Sequence, residues 1–517
     1  MAAIVTDQFR ILNAGNFVDS VTSDSNSYYV FVGLSNPKAS GYERQTDWDT
    51  NTPAPTDNID YTNFVSDNAL YGKRVSSTNV RRLVRRIDWT QGTRYEMYRH
   101  DYSSSNLSPI TKSSRLYNAN YYVMNSEFKV YICVDNGSSG INTNGNASLD
   151  EPTFTDLEPS AAGVSGDGYT WKYLYTVSPS DIIKFDSTEY ISLPSDWGTS
   201  TNTQVKAVRD NGNSDDNENQ LKKIYIENRG VGYSEGSHEV DILGDGTGAK
   251  AVIEVNSSGN ITNAIISAGG SGYSYGIVDL GSINSSSSTK AELIPIIPPS
   301  KGHGYDIYRE LGSDKVLVYA RFDDSTRDFP IDTNFAQIGI MKNPTSVGST
   351  AVFTENQFSS LNAIKFTGTP SGTLSVGDEI SQTVTDGTAK GFVASYDVET
   401  KVVKYFQDRS LFLNQTTYDN VDYVGISTRS KVLAFESSSI NSVTSNNNFS
   451  GSVDTNFTGI TTNPTGNKLI ALGTQFTNGL ASPEINKGSG DIIYIDNRPE
   501  ISRNSRQKED VKIILEF

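Results

Sequence analysis

Three histidines and one cysteine are all the imidazole and thiol chemistry that this 517-residue chain offers. His100, His238 and His303 lie far apart in sequence, and none sits in a His-Glu-x-x-His or other metal-ligand spacing. The single thiol, Cys133, excludes an intrachain disulfide framework and a multi-thiolate zinc cluster. It falls in the alternating stretch Lys129–Val134, where a small buried hydrophobe is the expected role. Gly272-Tyr-Ser-Tyr-Gly276 and Gly232-Tyr-Ser-Glu-Gly236 both match the Gly-x-Ser-x-Gly string of a nucleophile elbow. That elbow needs a strand before it and a helix after it, and neither copy is followed by helical periodicity, so both read as turns. Gly244-Asp-Gly-Thr-Gly248 lacks the helix and the Gly-Lys-Ser/Thr ending of a phosphate cradle. The acid pair of a glycosidase is defined in space, and 60 Asp and Glu residues offer no means of choosing two. Asp241, Asp245 and Asp279 lie near turns without EF-hand spacing and read as surface acids. No residue is therefore nominated as catalytic, cofactor-binding or metal-ligating, and the chain is not expected to be an enzyme.

The elements that would carry any site are mostly strands. Hydrophobic residues make up only 36% of the chain, yet 28 Tyr and 21 Phe supply the surface for several cores. Tyr28–Val32, Lys129–Val134 and Lys315–Ala320 are rich in β-branched and aromatic residues and are bounded by turn formers. Met1–Arg10 lacks the regions of a signal peptide, and no apolar run nears the ~20 residues of a membrane helix, so membrane insertion is not expected. A net charge of −17 argues against nucleic acid as the partner of the whole chain. Gly72–Leu116 runs the other way, with ten Lys/Arg against three Asp/Glu.

Within that basic segment, Ser76–Ile87 is the clearest helical pattern. Val80, Leu83, Val84 and Ile87 follow i, i+3, i+4, i+7 spacing, which places Arg81, Arg82, Arg85 and Arg86 on the opposite face. The bland reading is a solvated face neutralised by carboxylates such as Asp88. The sharper reading is a docking surface for an acidic partner subunit, because the planar guanidinium pairs bidentately with carboxylates. On the second reading, reversing Arg82 and Arg86 to glutamate should leave the fold intact while weakening assembly.

The chain also changes character along its length. Residues 201–219 are polar, carry Asp210, Asp215, Asp216 and Glu218, and read as an exposed linker. Gly230-Val-Gly-Tyr-Ser234 recurs as Gly270-Ser-Gly-Tyr-Ser274, with a hairpin expected between Ala249–Val255 and Ile261–Ile266. This marks a small β-domain over 206–300. A second β-module covers 346–487, with Leu374–Ile380 and Lys390–Tyr396 as its best strands and long loops around Ser437–Asn463.

Three stretches go beyond composition: Ala3–Arg10 with Asn16-Phe17; Gly166-Asp-Gly-Tyr-Thr-Trp171 through Tyr175 with Glu189–Pro194; and Gly490–Pro499 with Ile513–Phe517. Together they resemble the baseplate wedge protein encoded by gene 8 in contractile-tailed phages of the T-even type, closest to the longer versions of cyanobacterial phages. Arg86–Trp89, Thr93–Tyr95, Val130–Asp135, Phe329–Ile331 and Ile338–Pro344 fit the same pattern. The resemblance covers 1–200, 301–345 and 488–517 in order. It divides the chain into a core (1–205, 301–345 and 488–517) and two inserted β-modules (206–300 and 346–487).

The resemblance implies a mainly β protein: a β-sandwich core with few short helices, plus the two small inserted β-domains. It implies a homodimer in the virion tail baseplate, assembled in the host cytoplasm and joined to the products of genes 6, 7 and 10. No catalysis or cofactor is implied. Its motif residues are Asp167, Gly168, Tyr169 and Trp171, and Asp496, Asn497 and Pro499. In the first group Gly168 turns the chain while Tyr169 and Trp171 share a strand face, as core or as interface. In the second, Pro499 should stop ladder pairing, and Arg498 serves either as a fold-internal clamp or as an intersubunit contact. The competing expectation is a host-glycan-binding or glycan-cleaving tail protein, in which Tyr233, Tyr273 and Tyr275 stack on sugars.

Overall fold

Antiparallel pairing dominates the computed structural model, which describes residues 5–38, 44–211, 220–283, 289–323, 333–408, 410–413, 432–466, 468–503 and 507–517. The fold is mainly β. Phe329–Ile331 of the resemblance and Asp215, Asp216 and Glu218 of the expected linker lie outside the described residues. The chain forms two compact units, one from Met1–Val18, Arg81–Leu317 and Ile514–Phe517, the other from Asp19–Val80 and Val318–Ile513. The expected strand at Lys315–Ala320 forms as Lys315–Phe322.

In the first unit, the strand Lys129–Asn136 lies between Tyr122–Met124 and Tyr169–Thr176. Both faces of the central strand are covered, so Val130 through Val134 are all buried, and Cys133 packs as the hydrophobe its context demands. Burial pushes its thiol pKa well up, so it stays protonated. The core around this sheet is unusually aromatic. Tyr95, Tyr121, Tyr131, Tyr169, Trp171, Tyr175 and Trp197 are all nearly inaccessible, in edge-on and stacked contacts.

Part of the expected linker is structured. Thr203–Asp210 is a helix capped by the Asn202 side chain, which accepts from the Gln204 and Val205 N–H groups. Val205 and Val208 sit three apart and turn one stripe of it onto the core, with Val208 fully buried. Polar composition concealed that stripe, because two valines suffice on so short a helix.

The Gly-x-Gly-Tyr-Ser repeat belongs to a second core in the same unit. Its four-stranded sheet runs Ile261–Ser271, Thr247–Val255, Gly236–Gly244, Gly276–Val278, and it includes the expected hairpin. Both copies of the repeat have the same backbone, with φ of +62° and +79° at Gly230 and Gly232, and +62° and +77° at Gly270 and Gly272. Only glycine takes that pair of left-handed conformations without strain. The turn drops each tyrosine inward. Tyr233 accepts from the Ala291 N–H at 2.8 Å, and Tyr273 accepts from the Ala249 N–H while donating to the Ile242 carbonyl.

Asp245 closes the second turn by accepting the Ser274 and Tyr275 N–H groups at 2.9 and 3.2 Å, together with the Ser274 hydroxyl. These bonds hold its carboxyl at about 2, below the ordinary 3.8. A depressed folded pKa favours the folded turn above the ordinary value, and the contribution is lost as pH falls through about 2. In a carboxylate NMR titration, Asp245 is expected to titrate near 2, and in Ser274→Ala to move back toward the ordinary value. An ordinary midpoint in the wild-type chain would remove the carboxylate from this turn.

The second unit is built on a five-stranded sheet, in the order Gln357–Ser359, Ala69–Val75, Tyr28–Gly33, Asn334–Lys342, Asp491–Ser502. A seven-stranded sheet contains Glu379–Val384, Gly387–Asp397 and Val402–Phe406. The strand expected at Leu374–Ile380 starts only at Glu379. Ahead of it, Asp378 accepts the Ser375 N–H and Gly377 has φ +88°, so the apparent alternation runs through a turn. The Ser/Asn-rich stretch around 437–463 likewise departs from a long loop. It contains the strands Val443–Ser445, Ser450–Gly451 and Gly459–Thr462 and buries Val443, Phe449 and Val453. Three well-spaced apolar residues outweigh the surrounding polarity.

Candidate functional site

The arginine segment is a strand. Ser77–Asn79 forms a short 3-10 turn, and Val80–Arg85 then pairs with Tyr190–Ser192, with Leu83 opposite Ser192 and Val84 opposite Ile191. A helix would have stacked the arginines as two i, i+4 like-charge pairs, at a cost of a few tenths of a kcal/mol each. The strand removes that repulsion and buries Leu83 and Val84 on opposite faces. The expectation of one arginine-covered helix face is therefore corrected, and the four side chains part company.

Arg81 pairs with Asp181 at 3.2 Å and lies over the Phe185 ring. Arg82 donates to the Ile11 carbonyl at 2.7 Å and the Ser313 carbonyl at 3.2 Å, with its guanidinium 4.4 Å above the Tyr308 ring. These two hold the fold together. Arg85 and Arg86 instead line a cleft of about 510 Å³.

Three further cations enter this cleft from distant sequence: Arg10 on the helix Asp7–Thr22, Arg115, and Lys315. Asp7, Glu189, Asp314 and Glu516 face them, and Tyr117, Tyr122 and Tyr190 supply apolar wall. Most of the charges are matched internally. Arg115 grips Asp7, Lys315 lies 2.9 Å from Asp314 and 3.2 Å from Glu516, and Arg86 pairs with Asp88 at 2.9 Å. Arg85 is exposed and donates to the carbonyls of Asn118 and Ala119, and Arg10 donates to the main-chain oxygen of Phe517 at 3.0 Å. Among the described residues neither arginine has a carboxylate side-chain partner, and Glu189 has no cation. The cleft thus presents two guanidiniums without a carboxylate side chain, Arg85 and Arg10, and one unmatched carboxylate, an arrangement suited to charge-complementary docking. Arg115 lay inside the basic stretch visible in sequence, whereas nothing local pointed to Arg10 or Lys315.

The motif residues serve the fold. Asp167 is buried and accepts the Tyr169 N–H at 2.9 Å and the Leu149 N–H at 2.8 Å. Gly168 has φ +86°, and a Cβ there would stand 2.9 Å from Gly137 Cα. The Tyr169 hydroxyl accepts the Tyr95 N–H and donates to the Asn146 carbonyl. Trp171 stacks on the Tyr169 ring, centroids 5.2 Å apart, and is fully buried, so this pair is core.

In the other unit, Asn497 bridges Gln337, the Pro53 carbonyl and the Tyr61 hydroxyl. The Arg498 carbonyl accepts from the Trp48 indole at 2.7 Å, while the Arg498 side chain is exposed and meets Asp496 at 2.6 Å. The clamp expected of the Arg498 side chain is therefore made by Asn497 and by the Arg498 main chain. Pro499 interrupts the ladder between the pairs Asn497–Gln337 and Ile501–Phe335, but the strand resumes and reaches Ser502.

The histidines remain separate. His100 accepts the Ile297 N–H, His238 contacts the Ser234 carbonyl, and His303 contacts the buried Glu310. Among the described residues, no group of three or more His, Cys, Asp or Glu is placed to hold a metal ion. No described helix is long and apolar enough to cross a membrane. Of the three candidate sugar-stacking rings, Tyr233 and Tyr273 are buried, which leaves Tyr275 alone exposed. Neither the family models nor the curated proteins contain a match to this chain.

Proposed function

We propose that the chain is a structural subunit of a phage tail baseplate wedge: a homodimeric connector joined to the products of genes 6, 7 and 10, within the virion tail after assembly in the host cytoplasm. It acts through surfaces and carries out no catalysis. The observation behind this reading is how the motif residues are used. Asp167, Tyr169 and Asn497 tie backbone segments together and Trp171 packs in the core, so the residues that carry the resemblance serve the fold. The charged cleft around Arg85 is the docking surface, with Arg85 taking a carboxylate of an acidic neighbour.

Arg85→Glu is expected to leave thermal stability within about 0.5 kcal/mol of the wild type, because the side chain is exposed. The same change is expected to weaken co-assembly with the neighbouring wedge proteins about tenfold, the low end of measured coupling between close interface charges. Undiminished co-assembly would take the cleft out of the proposal. Light scattering on the full chain tests the connector itself. A dimer supports it, and a stable trimer replaces it with a fibre or spike.

A further inference from the structure

A small cavity of about 30 Å³ lies within the first unit, with Glu158, Lys172, Asn211, Lys222 and His303 among its lining residues. It admits about two waters, or one ligand of similar bulk. Lys172 reaches it from the strand Tyr169–Thr176, on the face opposite Tyr169 and Trp171, and is 2% exposed. Its Nζ donates to the Leu157 carbonyl, and among the described residues it has no other acceptor and no ion pair. An ammonium so placed leaves most of its N–H groups unsatisfied, whereas a nitrogen carrying a single hydrogen would be fully served.

The neighbouring groups are held in place. The Leu157 carbonyl also accepts from Asn211 Nδ2 at 3.1 Å, which sets Lys172 Nζ beside the cavity's rim. Asn211 and Lys222 each donate at 2.9 Å to Glu158, one to either carboxylate oxygen. His303 turns Nδ1 to the buried Glu310 at 2.5 Å, and Glu310 is fixed in turn by the Gly304 N–H at 2.7 Å. The carboxylate selects the Nδ1–H tautomer, so the neutral ring keeps its lone pair on Nε2, the nitrogen left to the cavity. Burial pulls the Lys172 ammonium down from the ordinary 10.5 to about 8; the charges of Glu158 and Glu310 oppose that shift and that of Lys222 adds to it. At neutral pH such a lysine holds roughly a hundredfold more free amine than an exposed one.

We propose that Lys172 is a modification site for carbon dioxide, which its amine captures as a carbamate seated in this cavity. The Nζ lone pair forms the N–C bond while one C=O π pair moves onto oxygen, and the proton displaced from Nζ passes to His303 Nε2. The hydrogen that remains on Nζ keeps the Leu157 carbonyl. The new carboxylate shares the cavity with the His303 imidazolium and the Lys222 ammonium. Stretches 158–172, 211–222 and 298–303 all contribute to the lining, so the loaded site holds them together. None of this depends on the first cleft or on the wedge reading.

The test equilibrates the full chain with isotopically labelled bicarbonate at a pH of about 8, fixes any carbamate with a trialkyloxonium salt, and maps the tryptic peptides. Label is expected on Lys172, with cleavage lost there, at a yield roughly tenfold or more above that of any exposed lysine. The map is read on the wild-type chain and so stands whether or not a variant folds. Bicarbonate should also raise the thermal midpoint, and fail to do so in Lys172→Met, which retains the stem without the amine. His303→Asn leaves a donor for Glu310 but no base, and should slow loading roughly a hundredfold, the low end for a positioned base. Absence of label at Lys172, equal label across the exposed lysines, a thermal shift that survives in Lys172→Met, or an unchanged rate in His303→Asn would overturn the proposal.

Discussion

Arg82→Glu is expected to destabilise the chain by about 3 kcal/mol or more, the largest loss among single changes in the arginine segment. The guanidinium holds two carbonyls, from Ile11 and Ser313, that come from two separate chain segments of its unit. Hydrogen bonds to a charged donor contribute about 1.5–3 kcal/mol, and a partly desolvated cation over a ring adds about 1 more. Glutamate would remove both and face two carbonyl oxygens with a third acceptor. Arg82→Met retains the stem over Tyr308 and should lose roughly half as much. Chemical denaturation followed by tyrosine and tryptophan fluorescence reads both changes. Should Arg82→Glu unfold with the wild type, the side chain would lie in solvent and the clamp would not exist. The earlier expectation that reversing Arg82 and Arg86 together spares the fold is thus replaced by a division. Arg82 is tested as stability, and Arg85 as assembly.

Trp171→Ala is expected to cost about 3–5 kcal/mol, the range for emptying a large aromatic site in a rigid core. The ring is fully buried between Tyr169 and Tyr95, with centroid distances of 5.2 and 5.9 Å, and its neighbours come from fixed strands that close poorly over a void. Trp171→Phe should cost far less, about 1 kcal/mol. Among the described residues the buried indole N–H has no hydrogen-bond partner, so its removal relieves a desolvated donor while part of the ring volume remains. The near-ultraviolet circular dichroism of the two variants through urea denaturation measures the difference. Equal losses would mean that the indole N–H has a partner in solution, a bound water being the simplest.

Both experiments bear on a fold whose strands were mostly readable in advance. Tyr28–Gly33 and Lys129–Asn136 formed where β-branched and aromatic runs placed them, because five or six such residues between turn formers leave the backbone little alternative. Ser76–Ile87 failed for an identifiable reason. Four apolar residues at 0, 3, 4 and 7 satisfy a helix, but Leu83 and Val84, as neighbours, can also be buried on two faces of a strand. With only about two turns of pattern, the choice fell to the pairing partner Tyr190–Ser192, about a hundred residues away. The Thr203–Asp210 helix was concealed in the same way, since its stability comes from the surface that Val208 covers.

What the sequence determined by itself was local: the turns of the Gly-x-Gly-Tyr-Ser repeat, the burial of Cys133, and the shared strand face of Tyr169 and Trp171, which the structure then turned inward. Each follows from the steric range of glycine or from the two-residue period of a strand. The charged cleft was decided by the tertiary structure alone. Arg10, Arg85, Arg115, Lys315 and Glu516 span nearly the whole chain, and whether a guanidinium there meets a carboxylate depends on distances of 3–4 Å that no spacing along the chain encodes. Among the described residues Arg85 is left without a carboxylate because folding brought Asp7 to Arg115 and Glu516 to Lys315, and brought Arg85 the carbonyls of Asn118 and Ala119.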